Sequence, residues 1–292
     1  MRKNIIKSAL ALYLLLSLLA IGGCKSDSTF SIVFVDVGQG DSALVECDGH
    51  YMLIDGGDKT HAENVSNVLR QNGVKHLDIL AASHVHNDHI GGLPIALENI
   101  ADIDDVLCNT SNGSEKAFEE FVEAINRKGK SITVPSKGDK YSLGSAIVYV
   151  MACGSNLSKN ESLVLLIKYK GMTFLFPGDI QQESERNLCD EYGAYEWGSN
   201  RFAGNCFSND REHPITLLKV SHHGSDTSTS VLFTEMAMPE YAIISVGKGY
   251  GHPAQQTLDR LAGVKAEIYQ TNERGNITVT SNGEMLIIST ER

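Results

Sequence analysis

Apolar positions fall into short blocks along the chain, and their spacing switches between two periods. Residues 30–37 are apolar with some alternation, and the runs 42–47 and 51–54 follow. Asp48-Gly49 separates the last two runs and Gly56-Gly57 closes them. Asp-Gly between apolar runs is a hairpin signal, so three strands in a meander are predicted. Residues 61–71 carry Val65, Val68 and Leu69 at helical spacing and stop at Asn72-Gly73, a pair suited to a helix C-cap. A short buried strand is predicted at 77–82, then a polar, histidine-rich loop, a helix from about Leu93 and a strand at 103–107. Residues 114–128 form an amphipathic helix with Phe118, Phe121, Val122 and Ile125 on one face. The second half repeats this rhythm. Strands are predicted at 146–151, 163–169, 172–176, 215–220 and 241–246, with short ones at Ile268, 277–280 and 285–288. Helices are predicted at 181–192, near 230–236 and at 254–261. Strands and helices alternating in two similar halves predict an α/β fold of two sheets face to face, with helices outside. Residues 192–211 break the pattern, with Tyr195, Trp197, Phe202 and Phe207 among Gly, Ser and Asn. They read either as a surface loop folded on itself or as a substrate-facing insertion.

The first residues follow neither period. Arg2, Lys3 and Lys7 precede an apolar run over 9–21 that ends in Gly22-Gly23-Cys24. A basic start, a short apolar middle and small residues at the cut make residues 1–23 a signal peptide. The run falls short of the roughly 20 residues of a membrane-spanning helix. Leu19-Ala20-Ile21-Gly22-Gly23-Cys24 resembles a bacterial lipobox. That resemblance implies cleavage before Cys24, lipid on its thiol and a tether over 24–29. The mature protein is then an exported, membrane-anchored lipoprotein on the extracytoplasmic side, and 30–292 forms one domain. An ordinary signal peptide or an uncleaved anchor is the alternative.

Charge and cysteine content narrow the picture. Loss of Arg2, Lys3 and Lys7 takes the formal charge from −11 to −14. An acidic mature chain argues against a broad electrostatic grip on nucleic acid, although Lys219, Lys248 and Lys265 offer local positive charge. The cysteines after Cys24 are Cys47, Cys108, Cys153, Cys189 and Cys206, and none forms a C-x-x-C pair, which speaks against a zinc ribbon. Cys189 and Cys206 flank the irregular loop and are a candidate disulfide; buried thiols throughout are the alternative.

The chemistry concentrates in Ser83-His84-Val85-His86-Asn87-Asp88-His89-Ile90-Gly91-Gly92, where a predicted buried strand ends. Imidazole and carboxylate are ligands for a borderline metal such as zinc, and a turn after a strand can aim them into one cavity. His84-x-His86-x-Asp88-His89 resembles the HxHxDH signature of metallo-β-lactamase-fold hydrolases. Residues 34–42 (Phe-Val-Asp-Val-Gly-Gln-Gly-Asp-Ser) and 53–57 (Leu-Ile-Asp-Gly-Gly) resemble that family's opening strands. Pro177-Gly178-Asp179 resembles its bridging-aspartate turn, and residues 219–225 (Lys-Val-Ser-His-His-Gly-Ser) its last ligand motif. The branch resembled is the hydrolase domain of ComEC-type DNA-uptake proteins, here as a stand-alone chain.

The resemblance implies a four-layer αββα sandwich and two divalent metal ions, zinc first and manganese as an alternative. His84 and His86 would hold one ion, Asp88, His89 and His222 the other, with Asp179 bridging. Asn160 stands where many members have a histidine, which opens the first site; its alternative reading is a turn residue. Asp36 and Asp55 end strands and are assigned to hydrogen bonds with backbone or ligand histidines, and Asp41 to orienting a ligand. His223 is either a ligand in place of His222 or a proton donor. His252 is a leaving-group contact or a loop residue, and Ser225 offers a hydroxyl and N–H to an anion. Asp88, His223 and His252 form the expected catalytic set.

Two metals can share a hydroxide for attack and neutralise charge on substrate oxygens. The expected substrate is a phosphodiester, either DNA cleaved outside the cytoplasm or a small phosphoester, and no obligate protein partner is evident. The alternative is a small-molecule envelope hydrolase, a phosphorylcholine-type esterase or a lactonase, for which the aromatic loop would suit a choline-like or acyl group. The intact ligand set argues against a non-catalytic binding lipoprotein.

Overall fold

The computed structural model describes residues 29–153, 162–193 and 215–292. Cys24, Asn160, Cys206 and all but the first two positions of the 192–211 insertion lie outside the described residues.

The first half opens with β1 (Phe30–Phe34), β2 (Ala43–Cys47) and β3 (His50–Ile54). Asp48 and Gly49 link the last two with φ of +54° and +83°. Positive φ at both central positions is the primed turn that Asp-Gly favours. There follow α1 (Ala62–Gln71), β4 (His76–Ala82), the one-turn helices α2 (Asn87–Ile90) and α3 (Leu93–Ala96), β5 (Asp102–Cys108) and α4 (Lys116–Arg127). The second half comprises β6 (Lys140–Leu143), β7 (Ala146–Ala152), β8 (Val164–Tyr169), β9 (Met172–Phe176), α5 (Gln182–Gly193), β10 (Leu217–Lys219), α6 (Val231–Ala237), β11 (Tyr241–Ile244), α7 (Gln255–Gly263) and β12 (Glu267–Gln270). The chain then passes through α8 (Thr271–Arg274) and returns to the first sheet as β13 (Ile277–Ser281) and β14 (Leu286–Thr290).

The strands form two sheets of order β14-β13-β1-β2-β3-β4-β5 and β12-β11-β10-β9-β8-β7-β6. Both are mixed. β3, β4 and β5 run parallel, as do β9 to β12, while the remaining pairs are antiparallel. Alternate residues of the inner faces meet between the sheets. Phe30 stacks on Tyr169 and Phe174 with ring centroids 4.9 and 4.6 Å apart, and Phe34 lies 5.9 Å from Phe176. One outer layer packs α1, α3 and α4 on the first sheet through Val65, Leu69, Leu93, Phe121 and Ile125. The other packs α5, α6 and α7 on the second through Leu188, Phe233 and Leu261. The architecture is the four-layer αββα sandwich. Its parallel strands, β3 and β4 in one sheet and β9 to β11 in the other, end on one edge, where open α/β sheets bind ligands.

Candidate metal centre

Five of those strand ends each deliver a turn to this edge. β3 runs into Asp55, β4 into Ser83 and His84, β9 into Pro177-Gly178-Asp179, β10 into Ser221-His222-His223 and β11 into Ser245. The loop between β1 and β2 adds Asp41. Its approach depends on Gly40, whose φ is +139° and where a Cβ would lie 2.2 Å from the Asp88 carbonyl oxygen. The Asp41 N–H donates to that same carbonyl at 3.2 Å.

Asp179 is the hub. Its Oδ2 lies 3.3 Å from His89 Nε2, 3.6 Å from His223 Nε2, 3.7 Å from His84 Nε2 and 3.9 Å from His222 Nε2. Its N–H donates to the Ser162 hydroxyl at 2.9 Å, which fixes the turn. His84 Nε2 is 2.9 Å from His86 Nδ1. Asp88 Oδ2 is 3.4 Å from His223 Nε2 and 4.0 Å from His89 Nε2.

Behind these groups stands a layer of orienting contacts. The His89 Nδ1–H donates to Asp55 Oδ2 at 2.9 Å, and Asp55 also accepts the Ser83 N–H and hydroxyl at 2.7 Å each. The His223 Nδ1–H donates to the Ser245 carbonyl at 3.0 Å. Both imidazoles thus present Nε2 to the cluster. Second partners of this kind fix the tautomer and direction of a metal-binding histidine.

The electrostatics follow from burial and crowding. Burial would raise the Asp179 carboxyl, but His89 and His223 outweigh it and hold the group well below the usual carboxylate range. Burial likewise opposes the protonated imidazole of His223, yet Asp179 and Asp41 raise it to about 9. His84 is pushed well below its ordinary value by burial and by His89. Asp88 falls to about 2, because His223 and His89 overcome its desolvation. Asp55 is raised by burial, which His89 only partly offsets.

The donor set fits a divalent metal. His89 Nε2, His223 Nε2 and Asp179 Oδ1 are buried and make no hydrogen bond. Orphaned polar atoms of this kind are costly inside a protein, and a cation among imidazole nitrogens and carboxylate oxygens would satisfy all three. His84, His89 and Asp179 make one close group, and Asp88, His89 and His223 another.

Most of the residues expected at the site converge there: His84, His86, Asp88, His89, Asp179, His223, Asp41 and Asp55. Of the two consecutive histidines, His223 is 1% exposed and enters the cluster. The His222 side chain is 31% exposed and lies at the rim, its ring 6.2 Å from that of His252. Asp36 faces elsewhere, accepting from Gly38 N–H and pairing with Arg292 at 2.6 Å. The Ser225 hydroxyl is taken up by Thr227, and its N–H by the His222 carbonyl.

Lys219, expected as local positive charge for substrate, is 3% exposed and lies 2.5 Å from Asp41 Oδ2. Lys248 is exposed, while Lys265 precedes β12 and so sits at the opposite edge. Ser83 and Ser245 were not among the expected site residues. Ser83 adjoins the histidine motif, which is a usable signal; Ser245 acts through its carbonyl, which leaves no trace in residue type.

The model of the metallo-beta-lactamase superfamily matches residues 35–248. The chain belongs to this superfamily. Among curated relatives, it is 29% identical to ComE operon protein 3 of Bacillus subtilis over 89% of this chain and 34% of that protein. It is 28% identical to competence protein ComA of Neisseria gonorrhoeae over 82% of this chain and 30% of that one. The chain therefore spans about a third of the length of these relatives. The metallo-beta-lactamase fold protein YhfI from Bacillus subtilis superposes with a TM-score of 0.55 at 12% identity, over 87% of this chain and all of the other, which establishes a shared fold. No helix among the described residues is long and apolar enough to cross a membrane.

Proposed function

We propose that this superfamily member is an exported phosphodiesterase that uses two divalent metal ions, zinc or manganese, and is anchored by lipid on Cys24. The observation that carries the reading is the set of orphaned, converging Nε2 and carboxylate atoms, in a chain similar over most of its length to competence proteins. In this reading His84 and His86 hold one ion, and Asp88, His89 and His223 the other. His223 replaces His222 because its Nε2 faces Asp88 and Asp179 from a buried position. Asp179, whose Oδ2 faces the Nε2 atoms of His84, His89 and His223, would be available to both ions.

Bound there, the ions would supply a water of lowered pKa and positive charge for the phosphoryl oxygens. The chain's own groups do the rest. Asp55 and Ser245 hold His89 and His223 in the ligating tautomer. The half-exposed Asp88 carboxylate points its Oδ2 toward His223 at the cleft and can orient an attacking water. His222 and His252 stand side by side at the rim. Burial lowers both imidazoles from their ordinary value, and a ring N–H there can hydrogen-bond a departing oxygen.

A second reading, hydrolysis of a small envelope phosphoester, is favoured by one feature. Lys219 is committed to Asp41 and gives no positive charge to a polyanion, in a chain of formal charge −11.

The test takes the chain from Lys25 onward with added manganese or zinc. It is given single- and double-stranded DNA beside a small chromogenic phosphodiester, with Asp88→Ala as control. DNA cleavage that the control lacks is the expected result. Cleavage of the small diester alone selects the second reading, and equal activity in Asp88→Ala overturns the site.

A further inference from the structure

Lys219 and Asp41 come from different sheets. Lys219 is the last residue of β10, one position before the turn that carries His223. Asp41 lies on the loop between β1 and β2, and its main chain is tied to both metal-site turns of the first sheet. Its N–H donates to the Asp88 carbonyl, and its own carbonyl accepts from Gly57 N–H at 2.8 Å. The Lys219 ammonium lies 2.5 Å from Asp41 Oδ2 and donates to the Val220 carbonyl at 3.0 Å. The same carboxylate stands behind two imidazoles, with Oδ1 at 3.3 Å from His223 Nδ1 and Oδ2 at 3.9 Å from His89 Nδ1. The ring N–H groups themselves go to the Ser245 carbonyl and Asp55, so Asp41 acts on the rings through its charge, with its Oδ1 making no hydrogen bond.

We infer that Lys219 is a positioning residue: by pairing with Asp41 across the two sheets it holds the His223 and His89 rings in the direction that binds metal. The inference rests on the metal-dependent reading above for its ligand set.

Two observations make the ammonium necessary rather than incidental. Asp41 and Asp55 are both buried carboxylates behind His89. A buried charge without a partner is strongly unfavourable, and Lys219 supplies the opposite charge. A cavity of about 20 Å³ also lies directly beneath, lined in part by Asp41, Ser42, Asp55, Ser83, Lys219 and Ser245. The Ser42 and Ser245 hydroxyls make no hydrogen bond there. They offer Asp41 an alternative set of donors, and a space of that size admits a water. Without Lys219 the carboxylate turns toward the cavity and leaves the His223 Nδ1. With Lys219 it is pinned against the imidazoles.

The test uses the full-length protein in detergent, stripped of metal and titrated with zinc against a chromophoric chelator. Lys219→Met, Asp41→Asn and the double variant are compared, with circular dichroism reporting the fold. We expect each single change to weaken zinc binding roughly 10–100-fold, the range for groups that orient ligands. The double variant should be no worse than either single, since one acts through the other. Lys219→Arg, which keeps the charge, should restore most of the affinity. Wild-type affinity in Lys219→Met, or losses that add in the double, overturns the inference. If Lys219→Met does not fold, wild-type affinity in the near-isosteric Asp41→Asn overturns it equally. A wild-type protein that takes up no divalent ion overturns the metal-dependent reading, and this inference with it.

Discussion

His222 and His223 are neighbours in sequence with opposite surroundings. Both take left-handed backbone, with φ of +49° and +54°, so the alternation of β10 does not carry into the turn. A strand's period of two would have decided between the histidines; left-handed residues cancel it, and the resemblance alone pointed to the first. The same local chemistry makes two predictions. Asp55→Asn leaves the shape at His89 unchanged but removes the carboxylate that accepts its Nδ1–H. Metal affinity is expected to drop roughly 10–100-fold, read by chelator competition, and an unchanged affinity would remove Asp55 from the site. The second concerns pH. His223 is raised to about 9 from 6.5 by Asp179 and Asp41 against its burial. Its protonated form therefore stabilises the metal-free fold fully below pH 6.5, and that contribution is lost as pH rises through about 9. A metal ion competes for the same Nε2, so uptake releases a proton and apparent affinity climbs with pH up to about 9. Zinc calorimetry at pH 7.5 in two buffers of different ionisation enthalpy measures that release. Identical heats in both would refute it.

Strand and turn chemistry carried most of the elements. The Asp48-Gly49 hairpin, the Asn72-Gly73 stop after α1 and the amphipathic α4 all stand where residue pattern puts them, because each rests on local interactions. Elements without such a signal were missed. β6 is a short edge strand, Lys-Tyr-Ser-Leu, half exposed along its length, and edge positions accept polar residues that blur the period. α2 is a single turn inside the histidine motif, too short to show a period. The sequence offers Lys219 as local positive charge for substrate, because nothing in Leu217-Leu218-Lys219 announces a buried counter-ion on a loop of the other sheet. The glycines of residues 34–42 are a sharper case. Gly40 has left-handed φ and touches the Asp88 carbonyl, so it joins two loops that are far apart in sequence. Gly40→Ala forces backbone against backbone and is expected to cost on the order of 1–3 kcal/mol. A lower thermal midpoint together with weaker metal binding would be observed, since the shift falls on Asp41 and Asp88. A variant that melts and binds like the wild type would show that the loop can move aside.

The proposed ligands divide between the sheets. His84, His86, Asp88 and His89 follow β4 in the first, while Asp179 and His223 follow β9 and β10 in the second. Bound ions would therefore cross-link two halves that already meet through the apolar layer of Phe30, Phe34, Tyr169, Phe174 and Phe176, the Lys219–Asp41 pair and hydrogen bonds such as that of Leu163 N–H to the Ser83 carbonyl. The two-sheet fold was legible in the alternation of strands and helices, and the hydrolase superfamily in the ligand motifs at the strand ends. Substrate was not, since it depends on side chains at the rim and on loops rather than on the sandwich. The cross-link has a thermodynamic signature. An ion that binds only the assembled site stabilises the whole domain by about 2.7 kcal/mol at a free concentration of 100 times its Kd, so the thermal midpoint rises with free zinc and falls on chelation. The apolar layer alone has no reason to respond to zinc. Asp179→Asn, at the hub of both halves, is expected to lower the chelated midpoint, because it takes away the carboxylate paired with His89 and His223, and also to lose the zinc-dependent rise. Differential scanning calorimetry across a zinc series reads both effects. A rise that survives in Asp179→Asn would place the stabilising ion elsewhere in the molecule.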